Sequence, residues 1–357
     1  MAGIFYYVSG HGYGHAVRSA LVISAIRRLN PEIPLWVRTS APPWLFPSDV
    51  AVEPSELDLG VLQRGSLHVR PRDTLEEYAR LIRSEELRIE NEIGLARTRR
   101  ITCVVADIPS AAFEVASKLD VPSIGVANFC WHWVYQPYAR RFPELAHVVR
   151  HIERQEGLAT VLLRLPFAWD FNCFQRIRDV PLIGRSAEHS RSETRMRLGI
   201  EAERRVALLS FGGYGFDGLG QEQLNRLKDW LFLTTESTNP PGRRKNIQNV
   251  VQPNLSYVDI LAASDVVVTK PGFGIVSDAL VNRISVLYSD RGEFREYGVL
   301  ARGLRSLGRA KYIPRPDLER GRLGPYLEAL MDNDRPWTPL DWSGADVIAR
   351  QVLESAR

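Results

Sequence analysis

Two histidines share one glycine-rich loop near the start of the chain, Ser9-Gly10-His11-Gly12-Tyr13-Gly14-His15. A neutral imidazole takes up a proton near physiological pH, so His11 or His15 could activate an acceptor hydroxyl or amine. The simpler use of either is to cap a helix or bond the backbone. A second grouping is Thr269-Lys270-Pro271-Gly272-Phe273-Gly274-Ile275-Val276-Ser277-Asp278. Here Gly272 and Gly274 turn a strand into a helix whose free N–H groups and positive dipole end suit a diphosphate. Asp278, one turn in, could accept hydrogen bonds from ribose hydroxyls, or simply carry charge favourably in a first turn. Gly212-Gly213-Tyr214 supplies another bare-backbone turn, and Asp107 closes an apolar stretch where it could orient His15 or His11. Trp131-His132-Trp133 and Tyr135 offer faces that stack on sugar rings or apolar aglycones, with core packing as the competing use.

Strands and helices must hold these groups. Residues 4–8 are β-branched and aromatic, which predicts a buried strand. Beyond the histidine loop, Val17, Ala20, Leu21, Ile23 and Leu29 keep helical spacing, with Arg27 and Arg28 in the last turn. Residues 35–37 predict a second strand, and the β–loop–α–β order implies a parallel sheet with a crossover helix. Asp73-Thr74-Leu75-Glu76 resembles a helix N-cap, and apolar spacing from Leu75 predicts one helix to about residue 98. Residues 103–107 and 122–126 predict further strands. The pattern changes around 164–187, and a second α/β run opens at 206–211, with strands predicted at 230–233, 249–251, 265–268 and 285–288.

The fold class expected is therefore α/β with two facing Rossmann-like domains and a ligand cleft between them. An acceptor domain would cover 1–175, completed by a C-terminal helix at 344–357, and a donor domain 176–343. Open parallel sheets bind ligands beyond the carboxyl ends of their strands, where strand order reverses. Both glycine loops fall at such ends. Gly10, Gly12 and Gly14 alternate, which does not fit Gly-x-Gly-x-x-Gly and leaves a plain dinucleotide site unsupported.

Composition narrows the class. The 357 residues are 45% hydrophobic and 25% charged, which excludes wholesale disorder. No apolar run approaches the roughly 18–20 residues of a membrane span, and no basic leader opens the chain. The net charge of +4 is too slight to choose among phosphate ligands, nucleic acid and an anionic membrane surface. The absence of a basic run with interleaved aromatics argues against nucleic acid, while peripheral membrane contact stays open. Cys103, Cys130 and Cys173 lie far apart, an odd count without metal-ligand spacing. They lead to the expectation of a reduced, cytoplasmic enzyme without disulfides or structural zinc.

Several segments carry a family likeness. Residues 9–18, 122–135 with Asn128-Phe129-Cys130-Trp131, Leu163-Arg164-Leu165-Pro166, Phe211-Gly212-Gly213 and 264–280 resemble the N-terminal glycosyltransferase-like domain of plant L-arabinokinases. The C-terminal half also resembles the bacterial peptidoglycan N-acetylglucosaminyltransferases, whose members have the GT-B fold. No Pro-x-Gly-Leu-Gly-Ser-Ser-type loop is present, so sugar kinase activity is not implied.

The resemblance implies a residue-by-residue assignment. Gly14-His15 matches the element whose histidine acts as base or orients the acceptor, with Gly12 and Tyr13 beside it and Trp131, His132 and Tyr135 on the acceptor side. Gly212, Gly213 and Tyr214 match the loop near the donor diphosphate, and Asn254 and Leu255 the segment flanking the base. Gly272 to Asp278 matches a Gly-x-x-Thr-x-x-Glu-like donor element, with Ile275 in place of Thr and Asp278 in place of Glu. Glu293, Arg295 and Glu296 fall where the family contacts the donor sugar, although Arg295 could instead serve a surface ion pair. The arabinokinase pattern has an acid near His132, which implies a different substrate here.

These readings combine as a metal-independent Leloir glycosyltransferase. It would move sugar from a nucleoside diphosphate sugar, UDP-linked by resemblance, to a small-molecule acceptor with inversion. His15 would be the base, with His11 as runner-up. No Asp-x-Asp motif suggests a catalytic metal, and the nucleotide sugar is a co-substrate rather than a resident cofactor. A nucleotide-sugar epimerase or hydrolase on the same fold, and a catalytically inactive sugar-nucleotide-binding module, are the alternatives.

Overall fold

In β1 (Gly3–Val8) the alternating strand geometry sends Phe5 and Tyr7 into one hydrophobic layer and Ile4, Tyr6 and Val8 into another. Both faces are covered, which is why the strand is apolar throughout. The computed structural model describes residues 3–64, 68–211, 220–235, 242–244, 246–250, 254–290 and 292–357. After β1 come β2 (Leu35–Thr39), β3 (Ala51–Glu53) and a small antiparallel pair, β4 (Gln63–Arg64) and β5 (His68–Val69). Next are β6 (Ile101–Asp107), β7 (Ser123–Ala127), β8 (Val161–Arg164) and β9 (Ile177–Asp179). The first sheet has the order β3-β2-β1-β6-β7-β8-β9, every pair parallel.

The second sheet repeats the plan. Its strands are β10 (Arg205–Ser210), β11 (Trp230–Thr234), β12 (Gly242–Arg244), β13 (Ile247–Asn249), β14 (Val266–Thr269), β15 (Ser285–Tyr288) and β16 (Ala310–Tyr312). The order is β12-β13-β11-β10-β14-β15-β16, parallel except for the β12–β13 pair. Val267 faces one hydrophobic layer, and Val266 and Val268 the opposite one. Strand order reverses between β1 and β6 in the first sheet and between β10 and β14 in the second. Those crevices are where an open parallel sheet admits ligand.

The two units pack through aromatic anchors. Phe273 and Phe294, from the second unit, are buried within the two hydrophobic layers of the first. The helix Gly344–Ser355 returns to pack on the helix Tyr13–Leu29, where Arg28 pairs with Asp346, while Thr102 of β6 donates to the Ala356 carbonyl at 2.9 Å. Among the described residues no helix is long and apolar enough to cross a membrane.

Two local expectations fail for local reasons. The helical stretch to residue 98 is two helices, Pro71–Arg83 and Glu85–Thr98, divided at Ser84, whose hydroxyl bonds the Leu81 carbonyl. The first begins at Pro71 rather than after Asp73, because proline needs no N–H partner in a first turn. The strand predicted at 249–251 is β13, which ends at Asn249; residue 251 lies outside the described residues.

Candidate active site

The histidine loop leaves β1 at the first crevice, and Asp107 ends the neighbouring strand. Val8 pairs with Asp107 in register, and Ser9 N–H donates to the Asp107 carbonyl at 2.7 Å. Gly12, at φ 68°, occupies the left-handed region as N-cap of Tyr13–Leu29, a conformation a side chain would strain. The helix thus begins early enough to place His15 in its first turn and Arg18 one turn further on. His15 Nδ1 lies 2.8 Å from Asp107 Oδ1. Arg18 grips the same carboxylate through Nε at 2.7 Å and Nη2 at 2.5 Å, and the Ser19 hydroxyl adds a bond at 2.9 Å.

These contacts fix the charges. Burial opposes ionisation of Asp107, but the Arg18 charge and hydrogen bonds, then His15, outweigh it and hold the carboxyl at about 2. Arg18 Nη2 also lies 3.0 Å from His15 Nδ1, but it donates to Asp107 Oδ1 at 2.5 Å; an ionised carboxylate is a stronger acceptor than an imidazole nitrogen, which assigns the His15 proton to Nδ1, facing Asp107. Nε2 then carries the lone pair, and no hydrogen bond to it is formed among the described residues. His11 has the opposite tautomer. Val61 N–H donates to its Nδ1 at 3.3 Å, which places the proton on Nε2 and makes neutral His11 a donor rather than a base. Its ring stacks on Phe294 from the second unit.

The wall beside the histidines is aromatic and buried. Trp131 packs edge-on to His11 and Phe129, tilts toward His15, and donates its indole N–H to Asp58 at 2.7 Å. Burial pushes the Asp58 carboxyl up. Tyr135 stacks on Trp131 and bonds the Gly60 carbonyl, so it supports the wall from inside instead of presenting a face to an acceptor. A recess of about 430 Å³ opens alongside, lined by Gly10, His11, Asp58, Glu77, Arg80 and Arg88 among others. Tyr13, 46% exposed, meets the more exposed Trp44 edge-on. A wider recess of about 710 Å³ is lined by residues 164–166, 168–170, 179–180 and Arg302, none of them among the candidate site residues, although 164–166 belong to a segment that carries the family likeness.

The second crevice carries the donor-side candidates. Ser210 of β10 pairs with Thr269 of β14, so the turns leaving both strands emerge side by side. Gly212, Gly213 and Tyr214 lie outside the described residues. Gly272 is the N-cap of Phe273–Val281, a helix with no side-chain cap and no acid in its first turn. The first-turn amides therefore have no capping side chain, as an anion site requires. Phe273 lies under the Arg18 guanidinium, 5.2 Å from ring centre to Cζ, so this helix start and the His15 turn are neighbours. Ile275 packs on the core, Leu255 does likewise, and exposed Asn254 accepts from Arg197 through its carbonyl.

These contacts suggest the GT-B arrangement, and comparisons agree. The glycotransferase of kitacinnamycin aligns with a TM-score of 0.65 and 15% identity, with 99% of this chain and 95% of that one covered. CalG4, the calicheamicin glycosyltransferase, aligns at a TM-score of 0.62 and 14% identity, with 99% and 95% covered. Phytolacca americana UGT2, complexed with UDP-2fluoro-glucose and pterostilbene, aligns at 0.62 and 15% identity, with 99% and 95% covered. The fold is GT-B. No family model matches the chain. L-arabinokinase of Arabidopsis thaliana is 29% identical over 364 residues covering 98% of this chain, which spans 34% of that protein's length.

Within the GT-B frame, four sequence-selected residues sit differently from expectation. Asp278 is buried and turned to the connection between the two units, around residues 164–187, where Arg185 supplies a backbone N–H at 2.8 Å and guanidinium contacts at 3.1 and 2.6 Å. Its carboxylate is occupied in holding that segment rather than presented to a ribose. Arg295 forms no surface ion pair among the described residues: it lies over Trp133 at 4.5 Å and Trp169 at 5.7 Å, and donates to the Trp133 carbonyl and Gln136. Glu293 is exposed and accepts from Arg141 at 3.0 Å. His132 is turned into the protein, its Nδ1 against Glu156, Cys130 and Cys173. Cys130 and Cys173, far apart in sequence, thus meet around one imidazole, contrary to the reading of isolated cysteines.

Sequence reasoning gave no role to Arg18, Asn128 or Asp58, although the first two lie in segments that carry the family likeness. Arg18 also donates to Asn128 Oδ1 at 2.6 Å, and Asn128 Nδ2 donates to Glu296 at 2.8 Å, which links the His15 cluster to the second unit. The signal for Arg18 was its position one helical turn after His15, on the same face. Asp58 and Asn128 carry no local signal, since their partners are remote in sequence.

Proposed function

We propose that the protein is a Leloir-type glycosyltransferase in which His15 deprotonates the acceptor and the second unit holds a nucleoside diphosphate sugar. One observation carries this reading. His15 is fixed by Asp107 at the reversal point of the first sheet, and the uncapped helix start at Gly272 lies beside Arg18, at the reversal point of the second. Asp107 orients the imidazole and steadies the imidazolium that forms, while Ser19 and Arg18, itself held by Asn128, fix Asp107. The acceptor oxygen or nitrogen attacks the anomeric carbon as Nε2 takes its proton, and the glycosyl–oxygen bond to the diphosphate breaks. A single displacement of this kind inverts the anomeric centre. Amides of the Gly272–Ile275 turn, with Gly212 and Gly213 by resemblance, meet the charge that grows on the leaving diphosphate.

The recess by His11 suits a polar, hydroxylated acceptor, because it combines carboxylates at Glu56, Asp58 and Glu77 with Arg80 and Arg88. Tyr13 and Trp44 offer an aromatic edge to an aglycone. A uridine donor follows the resemblance to peptidoglycan and arabinokinase-type domains. UGT2 was solved with a UDP sugar, whereas VinC, of the same fold, was solved with DTDP, so fold alone supports either base. Asp278 held by Arg185 and Ile275 in place of Thr favour, as the second reading, a binding module that has lost turnover.

A thermal-shift screen of nucleotide sugars, followed by product analysis with and without an acceptor panel, tests the proposal. A stabilising donor and a glycosylated acceptor support it. Sugar release or an epimer from donor alone assigns a hydrolase or epimerase, and binding without turnover assigns the inactive module.

A further inference from the structure

Behind the aromatic wall, the ligand atoms of Cys130, His132 and Glu156 all lie within 4.8 Å of one another, and Cys173 flanks them on the His132 and Glu156 side. Cys130 caps the helix Trp131–Arg141, His132 lies in its first turn, Glu156 ends the helix Ala146–Glu156, and Cys173 comes from the connection before β9. His132 Nδ1 lies 3.3 Å from Cys130 Sγ and 3.6 Å from Cys173 Sγ, and it also contacts Glu156 Oε2. The Cys173 thiol reaches the same Glu156 oxygen at 3.2 Å. All three neighbours address a single ring nitrogen, which has one proton or one lone pair and satisfies only one of them. A Cys–His–Glu relay would put thiol and carboxylate on opposite ring nitrogens, so the arrangement is not a nucleophile with its base.

The convergence fits a cation. Ligands about 2.0–2.3 Å from a tetrahedral metal lie roughly 3.3–3.8 Å from one another, close to the separations from His132 Nδ1 to the two sulfurs. Glu156 is 1% exposed, and its other oxygen, Oε1, has no hydrogen-bond partner among the described residues. A buried carboxylate oxygen left without a partner is costly, and a metal would satisfy it. Arg295, held between Trp133 and Trp169, lies within electrostatic reach of Cys130 and His132 and offsets the negative charge of two thiolates and a carboxylate.

We propose that Cys130, His132, Glu156 and Cys173 form a structural site for a zinc-like divalent cation. On binding, the two S–H protons leave to solvent as two sulfur–metal bonds form, the Nδ1 proton that His132 directs at Glu156 is released, and the ring, protonated on Nε2, binds through Nδ1. The site fixes the start of Trp131–Arg141, and hence Asn128, Phe129 and Trp131, against the connection that precedes β9. It is set apart from the His15 chemistry by Trp131 and does not depend on the proposed transfer.

The test uses the full chain, chelated and then titrated with cobalt(II). The expected result is one equivalent bound, with the visible absorption of tetrahedral cobalt and a thiolate-to-cobalt charge-transfer band. Zinc should displace it, raise the melting temperature and protect Cys130 and Cys173 from alkylation. Cys130→Ser and Cys173→Ser should each weaken the band, and Cys103→Ala should leave it intact, because Cys103 is buried in β6 away from the cluster. If the serine variants do not fold, alkylation mapping of the wild-type chain gives the same answer. No binding at micromolar free metal, binding without the thiolate band, or zinc protection absent at Cys130 and Cys173 overturns the assignment.

Discussion

Replacing Asp107 by asparagine keeps the shape of the side chain and removes its charge. The carboxylate accepts two N–H groups of Arg18, the His15 Nδ1 proton and the Ser19 hydroxyl. Arg18 reaches both carboxylate oxygens, so an amide in either orientation sets its NH2 against an Arg18 N–H. With the amide nitrogen toward His15, Nδ1 must become an acceptor, the ring proton moves to Nε2, and the base is lost. With the nitrogen toward Ser19, the hydroxyl can turn but Arg18 Nε cannot. General-base catalysis is worth about 10²–10⁴ in rate, and mis-set tautomers in a Ser-His-Asp system cost about 10⁴. We therefore predict that Asp107→Asn lowers kcat for sugar transfer by roughly 10²–10⁴ with donor Kd unchanged. Leaving buried Arg18 without its counter-charge costs about 3–5 kcal/mol, a large share of a typical 5–15. Transfer rate, donor titration calorimetry and circular dichroism belong on one sample, below its melting transition. A folded variant that transfers sugar at nearly the wild-type rate refutes the reasoning.

Other consequences are independent of that variant. Asp278→Asn should lower the denaturation midpoint, as expected for losing a charged hydrogen bond of about 1–3 kcal/mol to Arg185, with little change in donor KM; a raised KM at unchanged stability would restore the ribose role. Gly12→Ala, at φ 68°, should cost about 1–2 kcal/mol in urea denaturation and reduce transfer by shifting the His15 turn; an unchanged midpoint contradicts the backbone argument. The folded-state Asp107 carboxyl is held below its ordinary value of 3.8, at about 2, so its stabilisation is complete above the higher value and lost as pH falls through the lower. Acid unfolding should therefore include a loss on the order of 2 kcal/mol between those values, and the gap between wild type and Asp107→Asn should narrow there.

What was legible in the sequence was local. The strand at 4–8, the glycine turn and the helix after it follow from spacing within one β–loop–α unit, and so does the turn at Gly272. His15 and Arg18 are one turn apart, so their shared face was readable; Asp107 was named as a strand end that could orient His15 or His11, but its grip by Arg18 was not. Long-range choices were not legible. Asp278 has the chemistry to bind ribose, but Arg185 reaches it first. Trp131 and Tyr135, four apart on one helix, share a face, and that face is buried. Arg295 finds two tryptophans because the units pack against each other, which no spacing reveals. The cysteine count misled for the same reason: Cys130 and Cys173 become neighbours only when the connection folds back over the helix Trp131–Arg141.

The account rests on a lone pair at His15 Nε2 that accepts the acceptor's proton. The most direct measurement is single-turnover transfer by His15→Ala, with donor affinity determined on the same preparation. The account predicts that transfer falls by at least about 10²-fold while donor affinity and fold are retained. Transfer at an undiminished rate in a folded His15→Ala protein would contradict it.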